Sequence, residues 1–247
     1  MISKSQISFI KALHQKKNRK EQNLFIVEGL KSILEFANSD YKIDSVFYTE
    51  NLMPKLSNLS RNIKFHQVSL EELSKISVLS TPQAILALVK IPEQGEINTL
   101  KLQDSFYLAL DGVQDPGNLG TIIRSADWFG LNTIICSMDT AEVYNPKVVQ
   151  ASMGSLARVN IIYTELKDFF DNIKLPVFGA LLNGRSIYET NFGKEGIILL
   201  GNEGKGIRSE LLNQIKHPVT IPRFGKAESL NVAISASIFC SEIRRFS

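Results

Sequence analysis

The 247-residue sequence predicts an α/β protein built as two successive units, and three observations predict it. Short apolar runs alternate with segments of helical periodicity along the chain, the pattern of strands and helices packed in layers. The stretch Ile91-Pro92-Glu93-Gln94-Gly95-Glu96 is polar and carries both backbone breakers, which makes it the best linker candidate. In the second half, three glycine-bearing polar blocks each begin just past an apolar run, as loops at the carboxyl ends of strands in a parallel sheet do.

The elements follow in order. Ser3 or Ser5 caps a first helix running to about Lys17, with Ile7, Ile10 and Leu13 at helical spacing. Leu24–Val27 reads as a short buried strand, and Gly29 turns the chain into a helix carrying Leu30, Ile33, Leu34 and Ala37. Ile43–Tyr48, Lys64–Val68 and Ile85–Val89 read as strands, with Ser69 capping a helix between the last two. The first 95 residues are therefore expected to form a small α/β domain. Beyond the linker, Phe106–Leu110 is a strand, Leu119–Phe129 a helix closed by Gly130, and Thr133–Cys136 a strand, giving a βαβ unit. Val177–Ala180, Ile197–Leu200 and Pro218–Ile221 are further strands. A helix from about Asn231 to Arg244 ends the series, with Val232, Ala236, Phe239 and Ile243 along one seam.

Composition narrows the class. At 44% hydrophobic and 21% charged residues the chain is an ordinary globular sequence, without a membrane-length apolar run or a secretory leader. Cys136 and Cys240 sit in apolar segments far apart, which reads as buried reduced thiols and a cytoplasmic protein. His14, His66 and His217 lack ligand spacing, so no metal is expected. Net charge is +3, and residues 1–95 hold the excess, with 13 Lys/Arg against 9 Asp/Glu. Lys4, Lys11, Lys16, Lys17, Arg19 and Lys20 fall in the first twenty residues with no acidic residue among them. That is the profile of a phosphate-facing segment or of a solvated helix face.

The three blocks carry the candidate chemistry. Asp115-Pro116-Gly117-Asn118-Leu119-Gly120 is followed by Arg124. Asn118 is either the cap of the helix from Leu119 or a site residue. Arg124 forms either a surface salt bridge or a two-pronged phosphate contact. Gly201-Asn202-Glu203-Gly204-Lys205-Gly206 is no P-loop, because Gly206 and Ile207 follow the Gly-Lys pair where Ser or Thr would hold magnesium. Its glycines imply close backbone approach, and Glu203 either braces the loop or meets a ligand. In Ser229-Leu230-Asn231, either polar residue caps the last helix or shapes a site.

Together and in this order, the blocks resemble the three signature motifs of the SpoU/TrmH family of RNA 2′-O-methyltransferases, in the SPOUT superfamily. Asn118 to Arg124 is similar to motif 1, Asn202-Glu203-Gly204 to motif 2, and Ser229-Leu230-Asn231 with its apolar helix to motif 3. Tyr144-Asn145-Pro146 through Ala151-Ser152-Met153-Gly154-Ser155 resembles the family's linking segment. Residues 1–95, with Phe25-Ile26-Val27-Glu28-Gly29, resemble its ribosomal-protein-like (L30e-type) substrate-binding domain.

The resemblance implies an RNA-binding domain over 1–95, a linker over 96–104 and a methyltransferase domain with a deep trefoil knot over 105–247. It implies a homodimer through the C-terminal domain, with S-adenosylmethionine held near Gly201, Ile221 and Leu230. Leu199 and Leu200 join Ile221 and Leu230 as expected apolar walls. Arg124 is the implied catalytic arginine, with Asn118, Glu203, Ser229 and Asn231 shaping the site. Lys11, Lys16, Lys17, Arg19 and Lys20 are the expected RNA contacts. Ribosomal RNA is preferred over transfer RNA by analogy; a non-catalytic RNA-binding or assembly protein and, more weakly, a nucleotide hydrolase are the rival readings.

Overall fold

The computed structural model describes residues 2–56, 59, 62–93 and 104–245, so residues 96–103 of the expected linker lie outside it. Its first nine elements are α1 (Lys4–Ala12), α2 (Lys16–Gln22), β1 (Leu24–Glu28), α3 (Leu30–Ala37), β2 (Ile43–Tyr48), α4 (Met53–Leu56), β3 (Lys64–Gln67), α5 (Leu70–Ser74) and β4 (Ile85–Lys90). Then come β5 (Phe106–Leu110), α6 (Pro116–Trp128), β6 (Thr133–Cys136), α7 (Pro146–Ser152), β7 (Asn160–Tyr163) and α8 (Leu166–Asp171). The last are β8 (Val177–Ser186), β9 (Gly196–Leu200), α9 (Ser209–Leu212), β10 (His217–Thr220) and α10 (Val232–Arg244). Two compact units result: Met1–Glu93 with Glu142–Ala157, and Gln94–Ala141 with Arg158–Ser247.

The first unit is a four-stranded sheet in the order β1-β4-β2-β3, antiparallel except between β2 and β3. Alternation along its strands gives it two apolar faces. Ile26, Phe47, Leu86 and Leu88 pack with Ile10 and Leu13 of the N-terminal segment on one. A ring cluster around Phe25 includes Phe36, Tyr41 and Tyr144, the last at 4.7 Å. That contact, with buried Val148, Val149 and Leu156, places 142–157 in the first unit although the sequence puts it in the second half.

The single helix expected to reach Lys17 is instead two. Ser3 caps α1 through a reciprocal pair with Gln6, and the helix stops at Ala12. The break is stable because side chains of α2 take the carbonyls that a helix end leaves unpaired. Arg19 Nη1 donates to the oxygens of Leu13 and His14, each at 2.9 Å, and Asn18 Nδ2 to that of Ala12 at 2.8 Å.

The second unit is a six-stranded sheet, β10-β8-β9-β5-β6-β7, with every pairing parallel. Its central strands β5 and β9 are buried along their whole length, as strands covered on both faces must be. One core, around Ala109, Ile135, Leu199 and Leu211, involves α8 and α9. Elsewhere α10 packs on α6, where Ser125 and Ser237 exchange a 2.7 Å hydrogen bond. Arg244 on α10 donates to the carbonyls of Phe129 and Gly130, closing the far end of α6.

β8 extends six residues beyond the expected Val177–Ala180. Its second half, Leu181–Ser186, contains Asn183 and Gly184, which are poor strand residues. Pairing with β10 overrides that preference, through a register shift at Pro218/Val219. Gly184 is required there: a Cβ on it would lie 2.6 Å from the Pro218 carbonyl carbon. Both cysteines are free and buried, and burial raises both thiols, Cys240 to about 12.

Candidate active site

The polar residues of the second unit gather where β5 and β9 end and α10 begins. Asp115, not Asn118, caps α6: its side chain accepts from the Asn118 amide at 2.8 Å, and Pro116 occupies the first turn. The capping alternative for Asn118 is thereby corrected, and its side chain is free to reach other loops. Asn118 Nδ2 donates to Glu203 Oε1 at 2.9 Å. Asn231 Nδ2 donates to Asn118 Oδ1, also at 2.9 Å. Residues separated by 85 and 113 positions are thus joined in one relay, Asn231 to Asn118 to Glu203.

Asn231 does two jobs. Its Oδ1 accepts from the amides of Ala233 and Ile234, capping α10, while its Nδ2 holds Asn118. The cap therefore fixes the start of α10 and aims the amide at the site together. Ser229 is exposed two residues earlier.

The 201–206 loop is shaped by Asn202. Its Oδ1 accepts from the amides of Gly204 and Lys205, its Nδ2 donates to the Gly112 carbonyl, and its backbone pairs with Gly206. Gly201 permits the fold-back, since a Cβ there would lie 2.3 Å from the Gly206 carbonyl carbon. The loop's far end is held by Asp111, only 1% exposed, which accepts from both the backbone amide and Nε of Arg208. Burial alone would lower the Arg208 pKa; Asp111, with Asp139 and Glu210 beyond it, outweighs that and raises it. Asp111 and Arg208 escaped the sequence reading of the site, and Asn202, part of the second block, has no role of its own in it. The one available signal was a carboxylate placed directly after the wholly apolar β5.

Arg124 is exposed on α6, and its side chain makes no hydrogen bond or ion pair among the described residues. The salt-bridge alternative for it finds no partner there. It lies in the second half of α6, two helical turns beyond Gly117, in a stripe with Thr121 and Trp128. Leu199 and Leu200 are fully buried in β9, so their side chains serve the core and their place in the site is to deliver Gly201. Ile221 is half-buried after β10, and Leu230 is 49% exposed, an apolar surface beside Asn231.

In the first unit, Lys11, Lys16, Lys17 and Lys20 are exposed. Arg19 is not, and its expected role as a phosphate contact is corrected. It is 2% exposed and ion-paired with Glu142, besides holding the end of α1. A guanidinium with these partners has no face left for RNA.

Residues 105–241 match the SpoU rRNA Methylase family, and residues 4–87 match the MRM3-like substrate binding domain. The chain belongs to the SpoU rRNA methylase family. A relative in Bacillus subtilis (strain 168), the 23S rRNA (guanosine(2553)-2′-O)-methyltransferase RlmP, is 33% identical, over 95% of this chain and 94% of its own. A TrmH-family structure from Porphyromonas gingivalis is 39% identical with a TM-score of 0.89, covering 100% of both chains. An AdoMet-bound rRNA methyltransferase structure from Sinorhizobium meliloti is 30% identical with a TM-score of 0.90, covering 99% of this chain and 97% of its own.

Proposed function

We propose that this protein transfers the methyl group of S-adenosylmethionine to a ribose 2′-hydroxyl of ribosomal RNA. The observation that carries the reading is the relay Asn231–Asn118–Glu203, which joins three loops of a SpoU-family chain at one place. A core has no use for such a junction of carboxamides and carboxylate at the surface.

Bound S-adenosylmethionine supplies an electrophilic methyl on a sulfonium whose leaving group is a neutral thioether, so no metal is needed. The residues present fit it. Gly201 and Ile221 offer backbone groups just past β9 and β10 and Leu230 does so just before α10, and the exposed Leu230 side chain offers an apolar wall. Glu203, Asn118 and Asn231 fix these loops relative to one another before substrate arrives. Arg124 orients the target nucleotide's phosphate and stabilises the oxygen as its proton passes to water; an ordinary guanidinium is a poor proton acceptor. Ser229 lines the same edge.

The chain around these loops forms the trefoil knot of the family, a reading supported by the full-length likeness of the solved relatives. The first unit is the L30e-like RNA-binding domain over about residues 1–95; its mixed sheet and substrate-binding family match support this, and exposed Lys11, Lys16, Lys17 and Lys20 meet phosphates. The second unit forms the homodimer, supported by Trp128 and Ile234, 83% and 51% exposed on α6 and α10. The cytoplasm is its location, in keeping with buried free thiols; no helix among the described residues is long and apolar enough to cross a membrane.

Mapping 2′-O-methylated nucleotides in ribosomal and transfer RNA with and without the gene tests the substrate. Loss of one ribosomal site is expected, and loss confined to transfer RNA would move the substrate. Calorimetry with S-adenosylmethionine tests the enzyme: RNA binding without cofactor binding would leave an assembly protein.

A further inference from the structure

The loop between β10 and α10 exposes a phenyl ring that nothing in the relay explains. Phe224 is 96% exposed, the highest value for any large apolar side chain among the described residues. A ring held in water forgoes the burial that aromatic side chains ordinarily gain. The tip that carries it is shaped, because Arg223 Nη1 donates across it to the Ala227 carbonyl at 3.3 Å. Both ends of the loop are anchored, one by β10 and the other by Asn231, which is hydrogen-bonded to Asn118. The ring therefore rides on a segment tied directly to the site.

Its surroundings select the partner. Arg223 precedes Phe224, and Lys226 follows two residues later, both exposed. An apolar ring between two cations complements a flat base carried on a phosphate chain. Trp128 and Ile234 expose apolar surface in another setting, on the helices α6 and α10.

We propose that Phe224 is a stacking platform for an unpaired nucleobase of the substrate RNA next to the methylated nucleotide, with Arg223 and Lys226 holding the flanking phosphates. The inference rests on the methyltransferase reading and adds the way in which the target strand is held open. Aromatic stacking is blind to base identity, so the platform sets the position of the strand and leaves the choice of site to other contacts.

The test measures binding and methylation of in vitro transcribed, unmethylated 23S rRNA by the full chain, wild type beside F224A and F224W. F224A is expected to raise the RNA Kd and KM about tenfold, with S-adenosylmethionine affinity unchanged, and F224W is expected to restore both. RNA is also expected to quench indole fluorescence in F224W beyond the wild type, whose single tryptophan is Trp128. Unchanged RNA Kd and KM in F224A overturn the proposal. So does a loss of cofactor affinity or a change of oligomeric state with RNA binding intact, either of which assigns the ring to the cofactor pocket or to a second copy. A wild-type chain that neither binds nor methylates the RNA instead defeats the methyltransferase reading, which separates the two failures.

Discussion

The two units use polar side chains in opposite ways. In the first, the buried ones complete its own architecture: Arg19 closes α1 and pairs with Glu142, and Glu28 accepts from Ser77 Oγ and the Val78 amide. In the second, polar residues after strands and before helices hold loops to one another, as Asn231 does by capping α10 with its oxygen and holding Asn118 with its nitrogen. A charged residue is thus no guide to function until its partners are counted. Arg19 and Arg124 look equally promising in sequence; one is 2% exposed with both terminal nitrogens hydrogen-bonded, the other exposed with no side-chain partner among the described residues.

Substituting these two arginines should break the comparison cleanly. Arg124→Ala is expected to lower kcat about a hundred- to a thousandfold, the loss typical of one oxyanion-stabilising group, while leaving folding and cofactor affinity intact. Single-turnover methylation measures it, and near-wild-type turnover in both Arg124→Ala and Arg124→Lys would remove Arg124 from the mechanism. Arg19→Ala should do the reverse, costing about 2–3 kcal/mol of stability by stranding Glu142 and two helix-end carbonyls. Urea unfolding of the full chain checks this; an unchanged midpoint would show that the pair contributes nothing net.

A finer version of the contrast lies within three residues of α6. Asp115 caps the helix and Asn118 reaches across to Glu203 and Asn231. Asp115→Ala should therefore cost about 1 kcal/mol of stability. Asn118→Ala should change stability little yet reduce kcat/KM about tenfold, because the loops lose their common link. Equal stability losses in both variants would mean that Asn118 serves the fold alone.

That pair also marks where sequence reasoning stops. Apolar periodicity located β5, β9, α6 and the seam of α10, because burial on a regular element writes itself into spacing. The three blocks pointed to the site because glycines beside carboxamides have few other uses. Which of Asp115 and Asn118 caps α6 is not in the pattern, since both types cap well and a one-turn shift of the helix start decides it. The break after Ala12 was hidden because Arg19 acts on carbonyls through space. The docking of 142–157 in the first unit depends on the Phe25–Tyr144 contact, a pairing across more than a hundred residues that no local signal records. Removing residues 1–95 would consequently leave Tyr144, Val148, Val149 and Leu156 without their sheet, so truncation is a poor test of the first unit's role.

Charge removal at the surface is the gentler test, and it carries the smallest effects. Lys16 and Lys20 are exposed on α2, and Lys17, 82% exposed, shares its charge with Glu21 at 3.8 Å. Each lysine that meets a phosphate should steepen the fall of log affinity with log salt by about 0.7–0.9. Lys16→Gln and Lys20→Gln are then each expected to flatten the RNA-binding slope by about that much, and Lys17→Gln by less. Arg19→Gln, on the same helix, should leave the slope unchanged, because a buried guanidinium releases no counterions when RNA binds. A slope insensitive to all three lysines would move the RNA surface off α2, whereas a slope that responds to Arg19 would mean that its pairing with Glu142 opens on contact with RNA.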